Sequence, residues 1–224
     1  MDFSKLLMKK VVLILFVILM LNFVIAHQPR IGFVGTIENP ILIEKPEISK
    51  AYYGELEGNP EFYKIDSEKD FLLYLNILAP DIKGARKDFI VEVLKDDEII
   101  FTLNNSDWEN FYEPFGGDSY LRGPELEEQV ISGTYLIKVT NPENIGKYSL
   151  AVGKIESFPP IEIIKTIFTL PKLKVFFNKS PFTAYFNYTG IFLLILLILL
   201  TALILVFRYL IKRFKKKKSP NREI

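Results

Sequence analysis

Side chains suited to catalysis are scarce in this chain, and the scarcity narrows what it can do. His27 is the only histidine among 224 residues, and cysteine is absent. Were the chain cleaved just before it, His27 would pair an imidazole with a new terminal amine, an arrangement that chelates copper. Such a brace takes a second histidine, and the chain has none. The same counts remove Ser-His-Asp catalysis, His-rich or thiolate zinc sites, iron–sulfur clusters, cysteine nucleophiles and disulfides. Walker and dinucleotide-binding glycine fingerprints do not occur either. Carboxylates remain, in Asp96-Asp97-Glu98 and in Glu125, Glu127 and Glu128. Two of them brought together could hydrolyse a glycosidic bond, one as acid and the other as nucleophile or base. Their spacing fits exposed strands and turns better, so no catalytic residue is assigned. Asn104-Asn105-Ser106-Asp107 and Asp118 offer the hard oxygens that calcium takes, but without a recognisable ligand spacing. No cofactor or metal is expected, calcium being the one cation these oxygens suit.

Aromatic side chains give the best binding candidate. Between Asn104 and Tyr120 the sole tryptophan, Trp108, stands with Phe111, Tyr112, Phe115 and Tyr120 among Asp107, Glu109, Glu113, Asp118 and Gly116-Gly117. Aromatic faces stack on sugar rings or on an aromatic partner surface, and acids beside them orient hydroxyls. Trp108, Phe111, Tyr112, Phe115, Asp118 and Tyr120 are therefore the candidate ligand-binding residues. The alternative is that these rings plug one end of a domain under a long connection. The first of three Asn-x-Ser/Thr triplets begins in the same segment, at Asn104, the one plausible glycan acceptor in a cell that makes such glycans.

The elements that would position these residues are strands. From Ala51 to Gly153 short alternating runs are punctuated by Gly, Pro, Asn and Asp, the pattern of antiparallel strands with one face buried. Phe71, Leu73, Leu75 and Ile77 share one face, and Phe89, Val91 and Val93 another. Asp96-Asp97 predicts a two-residue turn into Ile99–Leu103. Tyr135, Ile137 and Val139, then Tyr148, Leu150 and Val152, predict two more strands, paired through the turn formers of Asn141–Gly146. About eight strands and no long helical period favour a mainly β ectodomain, an antiparallel β-sandwich or jelly roll, with a C-terminal single transmembrane helix.

The run Ser132-Gly133-Thr134-Tyr135-Leu136-Ile137-Lys138-Val139, followed by Gly146-Lys147-Tyr148-Ser149-Leu150-Ala151-Val152, resembles the closing hairpin of bacterial pre-peptidase C-terminal domains. The resemblance covers about twenty residues. It implies a non-catalytic β-sandwich of the kind appended to secreted enzymes, some of which bind calcium or polymeric substrates.

Two hydrophobic segments set the expected topology. Lys5, Lys9 and Lys10 precede an apolar run from Val11 to Ala26 that ends in Val24-Ile25-Ala26, the layout of a signal peptide cleaved before His27. Sixteen residues span only about 24 Å as a helix, short of the roughly 30 Å hydrocarbon core, which makes an uncleaved N-terminal anchor the weaker alternative. Tyr188 to Phe207 is twenty residues without a charge or proline. At about −0.3 to −0.6 kcal/mol for each central Leu, Ile, Val or Phe, its insertion is favoured by about 5 to 9 kcal/mol. Basic residues outnumber acidic ones three to one in residues 1–26 and eight to one in 208–224, while 27–207 carries 17 against 25. Positive charge beside a span stays cytoplasmic, so the acidic body is expected outside. An acidic body also argues against nucleic acid as a partner.

The expected plan is a signal peptide (1–26), an N-terminal extended segment (27–50), a β-sandwich ectodomain (51–156), an amphipathic juxtamembrane connector (157–187), a transmembrane helix (188–211) and a basic cytoplasmic tail (212–224). In the connector Ile161, Ile164, Ile167 and Phe168 fit a short apolar face, suited to the outer membrane surface or to packing under the domain. The functional expectation is a non-catalytic, membrane-anchored extracytoplasmic binding or assembly module. Its partners would be membrane lipid and an envelope polymer or neighbouring membrane protein. The alternatives are a carboxylate-dependent glycan-active enzyme and a structural subunit of a membrane complex.

Overall fold

A computed structural model describes residues 27–104, 107–114, 116–157 and 159–217. The signal-peptide reading of residues 1–26 and the tail beyond residue 217 lie outside the described residues. Those described include eleven strands: β1 (Gln28–Ile31), β2 (Ile41–Leu42), β3 (Lys50–Glu57), β4 (Glu61–Ser67), β5 (Phe71–Pro80), β6 (Ile90–Lys95), β7 (Glu98–Leu103), β8 (Glu109–Glu113), β9 (Asp118–Val130), β10 (Gly133–Thr140) and β11 (Ile145–Val152). Helix α1 (Pro160–Phe176), a 3₁₀ turn (Pro181–Tyr185) and helix α2 (Tyr188–Lys217) follow. Strands lie in the order β1-β3-β11-β5-β9-β8 in a six-stranded sheet and β2-β4-β10-β6-β7 in a five-stranded one.

Alternation explains the core between them. Phe71, Leu73, Leu75, Ile77 and Ala79 of β5 point inward from the larger sheet with Tyr148, Leu150 and Val152 of β11. Tyr63, Ile65, Val91, Val93, Tyr135, Ile137 and Val139 meet them from the smaller one. The Asp96-Asp97 turn joins β6 to β7 with φ of 52° and 63°. Two successive left-handed residues match a type I′ hairpin, whose twist suits the strands it joins.

Two expectations are corrected. The sandwich is not wholly antiparallel, because β1 pairs with β3 and β2 with β4 in parallel. These two edge strands come from residues 27–50, where runs of four and two residues are too short for alternation to show. The predicted pairing of Tyr135–Val139 with Tyr148–Val152 does not form either. β10 pairs with β4 and β6, whereas β11 pairs with β3 and β5 in the other sheet. The two runs face each other across the core, and either arrangement needs the same inward residues. Asn141, buried in the connecting arch, donates from Nδ2 to the Ile145 carbonyl (2.8 Å) and accepts at Oδ1 from the Ile145 amide (3.2 Å).

One carboxylate enters the core. Glu61, at the start of β4, accepts from the Tyr148 hydroxyl and from that of Tyr63 (3.4 Å), and the two tyrosines lie 2.8 Å apart. A Cβ at Gly54 would come within 2.2 Å of Glu61 Oε2 and 2.6 Å of the Tyr148 ring, so glycine there makes room for the cluster.

Residues 27–187 form one compact unit, and α2 belongs to another. The stretch Tyr188–Arg213 of α2, 26 residues, is long and apolar enough to cross a membrane. As a helix it extends about 39 Å.

Burial raises the Glu61 carboxyl above its ordinary value of 4.5, outweighing the tyrosine hydrogen bonds, and Glu57 adds to the rise. A raised acid favours the fold fully below its unfolded value and loses that contribution as pH climbs through the folded one. Thermal melts of the full chain in detergent should therefore show the stability of wild type relative to Glu61→Gln falling as pH rises from about 4.3 to neutrality; a pH-independent difference would contradict this account.

Candidate functional site

The outer face of the six-stranded sheet is built to be covered. Tyr53, Leu78, Tyr120 and Ala151 project from it and cluster with Phe111, Phe176 and Phe177. The Phe177 ring meets Tyr53 and Tyr120 edge-on, each at 5.7 Å between centroids. Alongside, Leu170, Leu173 and Ala184 pack with Ile31, Tyr53 and Tyr185. The connector is thus a third layer on the sandwich.

Local sequence explains how α1 forms and stops. Pro160 opens its first turn, where a missing N–H costs nothing, and Glu162 and Lys174 lie at the ends that the helix dipole favours for each charge. It ends on Asn178, whose φ is 58°. The Asn178 amide donates to the Val175 carbonyl (2.9 Å) and the Lys179 amide to that of Lys174 (2.7 Å), a Schellman motif.

That stop brings Lys174 and Lys179 together on one carboxylate. Asp118 Oδ2 lies 2.9 Å from Lys174 Nζ and Oδ1 lies 2.8 Å from Lys179 Nζ, the Asp118 and Lys174 side chains being 6% and 2% exposed. Lys174 also donates to the Gly117 carbonyl at 3.0 Å, and Lys147 to that of Phe176 at 2.5 Å. Arg30 pairs with Glu162 at 3.0 Å near the other end of the helix.

Of the six residues singled out from sequence, those that the structure describes divide between two faces. Phe111, Asp118 and Tyr120 come together on the outer face, Tyr120 and Asp118 buried and Phe111 beneath the Arg122 guanidinium at 4.1 Å. Trp108 packs half-buried against the interior on the core side. A Cβ at Gly123 would fall 2.7 Å from the Trp108 ring, so the β9 backbone must be bare there. The same stretch of β9 bulges against β5, and Asn76 donates to the Gly123 and Pro124 carbonyls at 3.0 and 3.1 Å. Tyr112 is exposed, and Phe115 lies outside the described residues. What sequence presents as one long loop is mostly the β8–β9 hairpin.

The other groups considered for chemistry are dispersed. Asp96 and Asp97 sit in the β6–β7 turn of one sheet; Glu125, Glu127 and Glu128 line exposed positions on β9 of the other. Glu125 accepts from Tyr74 at 3.2 Å, and Glu127 pairs with Lys154 at 2.7 Å. His27 Nδ1 lies 2.5 Å from Ser49 Oγ, and burial first, then Arg122, pull its imidazole down to about 4. It is neutral at physiological pH. Among the described residues no group of three or more His, Asp or Glu is placed to hold a metal ion.

Sequence reading missed a hollow beside the β3–β4 connection. This pocket of about 550 Å³ has Val34 and Ile37 on one side and Glu38, Glu55, Glu57 and Glu61 among its lining. Its acidity attracts cations and amines. Glu55 is 3.7 Å from Lys147. Glu55, Glu57 and Glu61 occur at alternating or turn-separated positions in sequence, so only the fold reveals that they share a pocket.

No protein-family model matches the chain, and no curated protein matches it. Solved structures show a likeness to the pre-peptidase C-terminal domain of collagenase from Bacillus anthracis, 10% identical, covering 55% of this chain and 98% of that one with a TM-score of 0.34. A β-glucosidase from Kluyveromyces marxianus in complex with glucose is 14% identical over 50% of this chain, with a TM-score of 0.28. A β-glucosidase from Paenibacillus barengoltzii is 9% identical over 55%, with a TM-score of 0.26. The chain covers 13% and 12% of those two glucosidases.

Asp118→Asn leaves buried Lys174 without its anion and should cost about 3–5 kcal/mol. Lys179→Ala, at a more exposed partner, should cost about 1 kcal/mol or less. Hydrogen exchange should show the loss first in residues 160–176, with β5 and β10 still protected. Uniform loss through both sheets would mean that the ion pairs do not hold the layer. Trp108→Ala should cost about 2 kcal/mol or more from lost packing, and Tyr112→Ala almost nothing.

Proposed function

We propose that this chain is a single-pass membrane protein that displays its sandwich outside the cell as a non-catalytic binding or assembly module. The observation carrying this reading is α2, free of charge from Tyr188 to Phe207 and basic from Arg208 onward, a cluster that resists translocation. The acidic body between the two hydrophobic segments suits the outer side.

Placing the module's apolar contact in the juxtamembrane segment, and not at a sugar-stacking site, rests on where the apolar surface is. Phe111 and Tyr120, two of the rings that could stack on a sugar, pack against Phe176 and Phe177 instead. Exposed apolar side chains gather on α1 and the turn after it, at Ile161, Ile164, Phe168, Val175, Phe182 and Phe186. The juxtamembrane segment therefore has more exposed apolar surface to offer, to lipid or to a neighbouring protein, than a glycan site at Trp108.

One observation favours a second reading, a glycan-active enzyme. Glu61 has a carboxyl raised by burial and lines the acidic pocket with Glu55 and Glu57, so more than one carboxyl group borders the same hollow. Against it, Glu61 Oε2 is engaged by two core tyrosines. Turnover of glycosides by the purified chain, lost in Glu61→Gln, would establish the enzyme reading.

Because the chain has no cysteine, orientation can be read from single introduced thiols. In intact cells, a membrane-impermeant maleimide should label Tyr112→Cys, whereas Ser219→Cys should react only after permeabilisation. The reverse pattern would invert the topology and overturn the proposal.

A further inference from the structure

Helix α1 is apolar on two opposite sides, and the sandwich uses one. Leu170, Leu173 and Lys174 face the sheet and are buried. At about 100° per residue, Ile161, Ile164, Phe168 and Val175 fall within about 60° of one another on the far side. All four are exposed, Phe168 at 70%, and Phe182 and Phe186 after the helix reach 85% and 82%. Lys165 and Lys172 flank this stripe and are exposed as well. A surface helix of a soluble domain turns its polar side to water, so this one lacks an expected partner.

We propose that the outer face of α1, together with Phe182 and Phe186, docks on the lipid surface, with its apolar side chains at the headgroup–acyl boundary and Lys165 and Lys172 among the headgroups. The proposal rests on the reading that α2 crosses the membrane. Given that reading, chain connectivity alone places Phe186 within about 7 Å of the first residue of α2. The stripe has the composition of an interfacial helix, large apolar residues beside lysines. Its continuity with α2 points to lipid over a protein partner. A bilayer contact tethered by α2 has a high effective concentration and needs little area.

The test uses the full chain in phosphatidylcholine–phosphatidylglycerol vesicles carrying acyl-chain bromines, with bimane on single introduced thiols. Ile164→Cys, Phe168→Cys and Val175→Cys occupy exposed positions, so the fold should tolerate them. Bimane there should be quenched roughly threefold or more above bimane at Ile100→Cys, on the exposed β7 edge, as expected for an interfacial helix. Ile198→Cys, in the middle of α2, reports the anchor separately. Quenching at 198 with none at 164, 168 and 175 overturns the docking and leaves the anchor standing. No quenching at any position overturns both. Disulfide crosslinks between copies at 168, rising with protein density in place of quenching, would assign the stripe to a second copy and also overturn the proposal.

Discussion

The second half of β5 cannot face water on either side. Leu75, Ile77 and Ala79 point into the sandwich, and Leu78, with Tyr120 and Ala151 from the neighbouring strands, points the other way. A two-layer sandwich leaves one face of each sheet solvated, so an outward face this apolar requires a further layer. The chain supplies it from the segment just after β11, in α1 and the two phenylalanines at its C-terminal end. Burial of those rings draws Asp118 and Lys174 out of water with them. The ion pair at that seam is better understood as a device that fixes where the helix ends than as a source of stability, since burying charge offsets most of the attraction it yields.

This arrangement redistributes the residues with chemical promise. Aromatic rings near Asp118 become packing for the third layer and for the interior beneath Gly123, and the carboxylates divide between sheets. Glu61, whose carboxyl is raised by burial, lies at the boundary between the core and an acidic hollow. Its tyrosine partners meet the requirement that a buried acid be hydrogen-bonded. A structural role thus accounts for its environment without a substrate.

Legibility in sequence followed the range of the interaction. Inward residues of β5, β6, β10 and β11 could be named from alternation because a strand's faces are a local property, and the Asp96-Asp97 turn because two residues determine it. Assignment of β10 and β11 to different sheets was not legible, since alternation says which side chains are buried and not which strand lies beside them. The parallel edges formed by β1 and β2 were too short to carry a pattern. The candidate site suffered from the same limit. Trp108, Phe111 and Tyr120 are close in sequence, and only the register of β8 on β9 shows that they point to opposite faces. The Glu55, Glu57 and Glu61 pocket depends on a cross-sheet connection and has no sequence signature.

The connector shows why a helical period alone can mislead about which side is buried. Ile161, Ile164 and Phe168 form the more regular apolar stripe in sequence, yet the sheet receives Leu170, Leu173 and the stem of Lys174. Two constraints override the stripe. The Schellman stop at Asn178 fixes the rotation of the last turn so that Phe177 enters the cluster of Tyr53 and Tyr120. Asp118 accepts only a helix that presents Lys174 inward. Rotation is thereby set at the C-terminal end of α1 by a ring, a turn and a charge, and the remaining apolar face is left outward as a consequence. A sequence that needed only to cover a sheet could have made that outer face polar at no cost to packing, so its apolar character has to be explained by something beyond the sandwich.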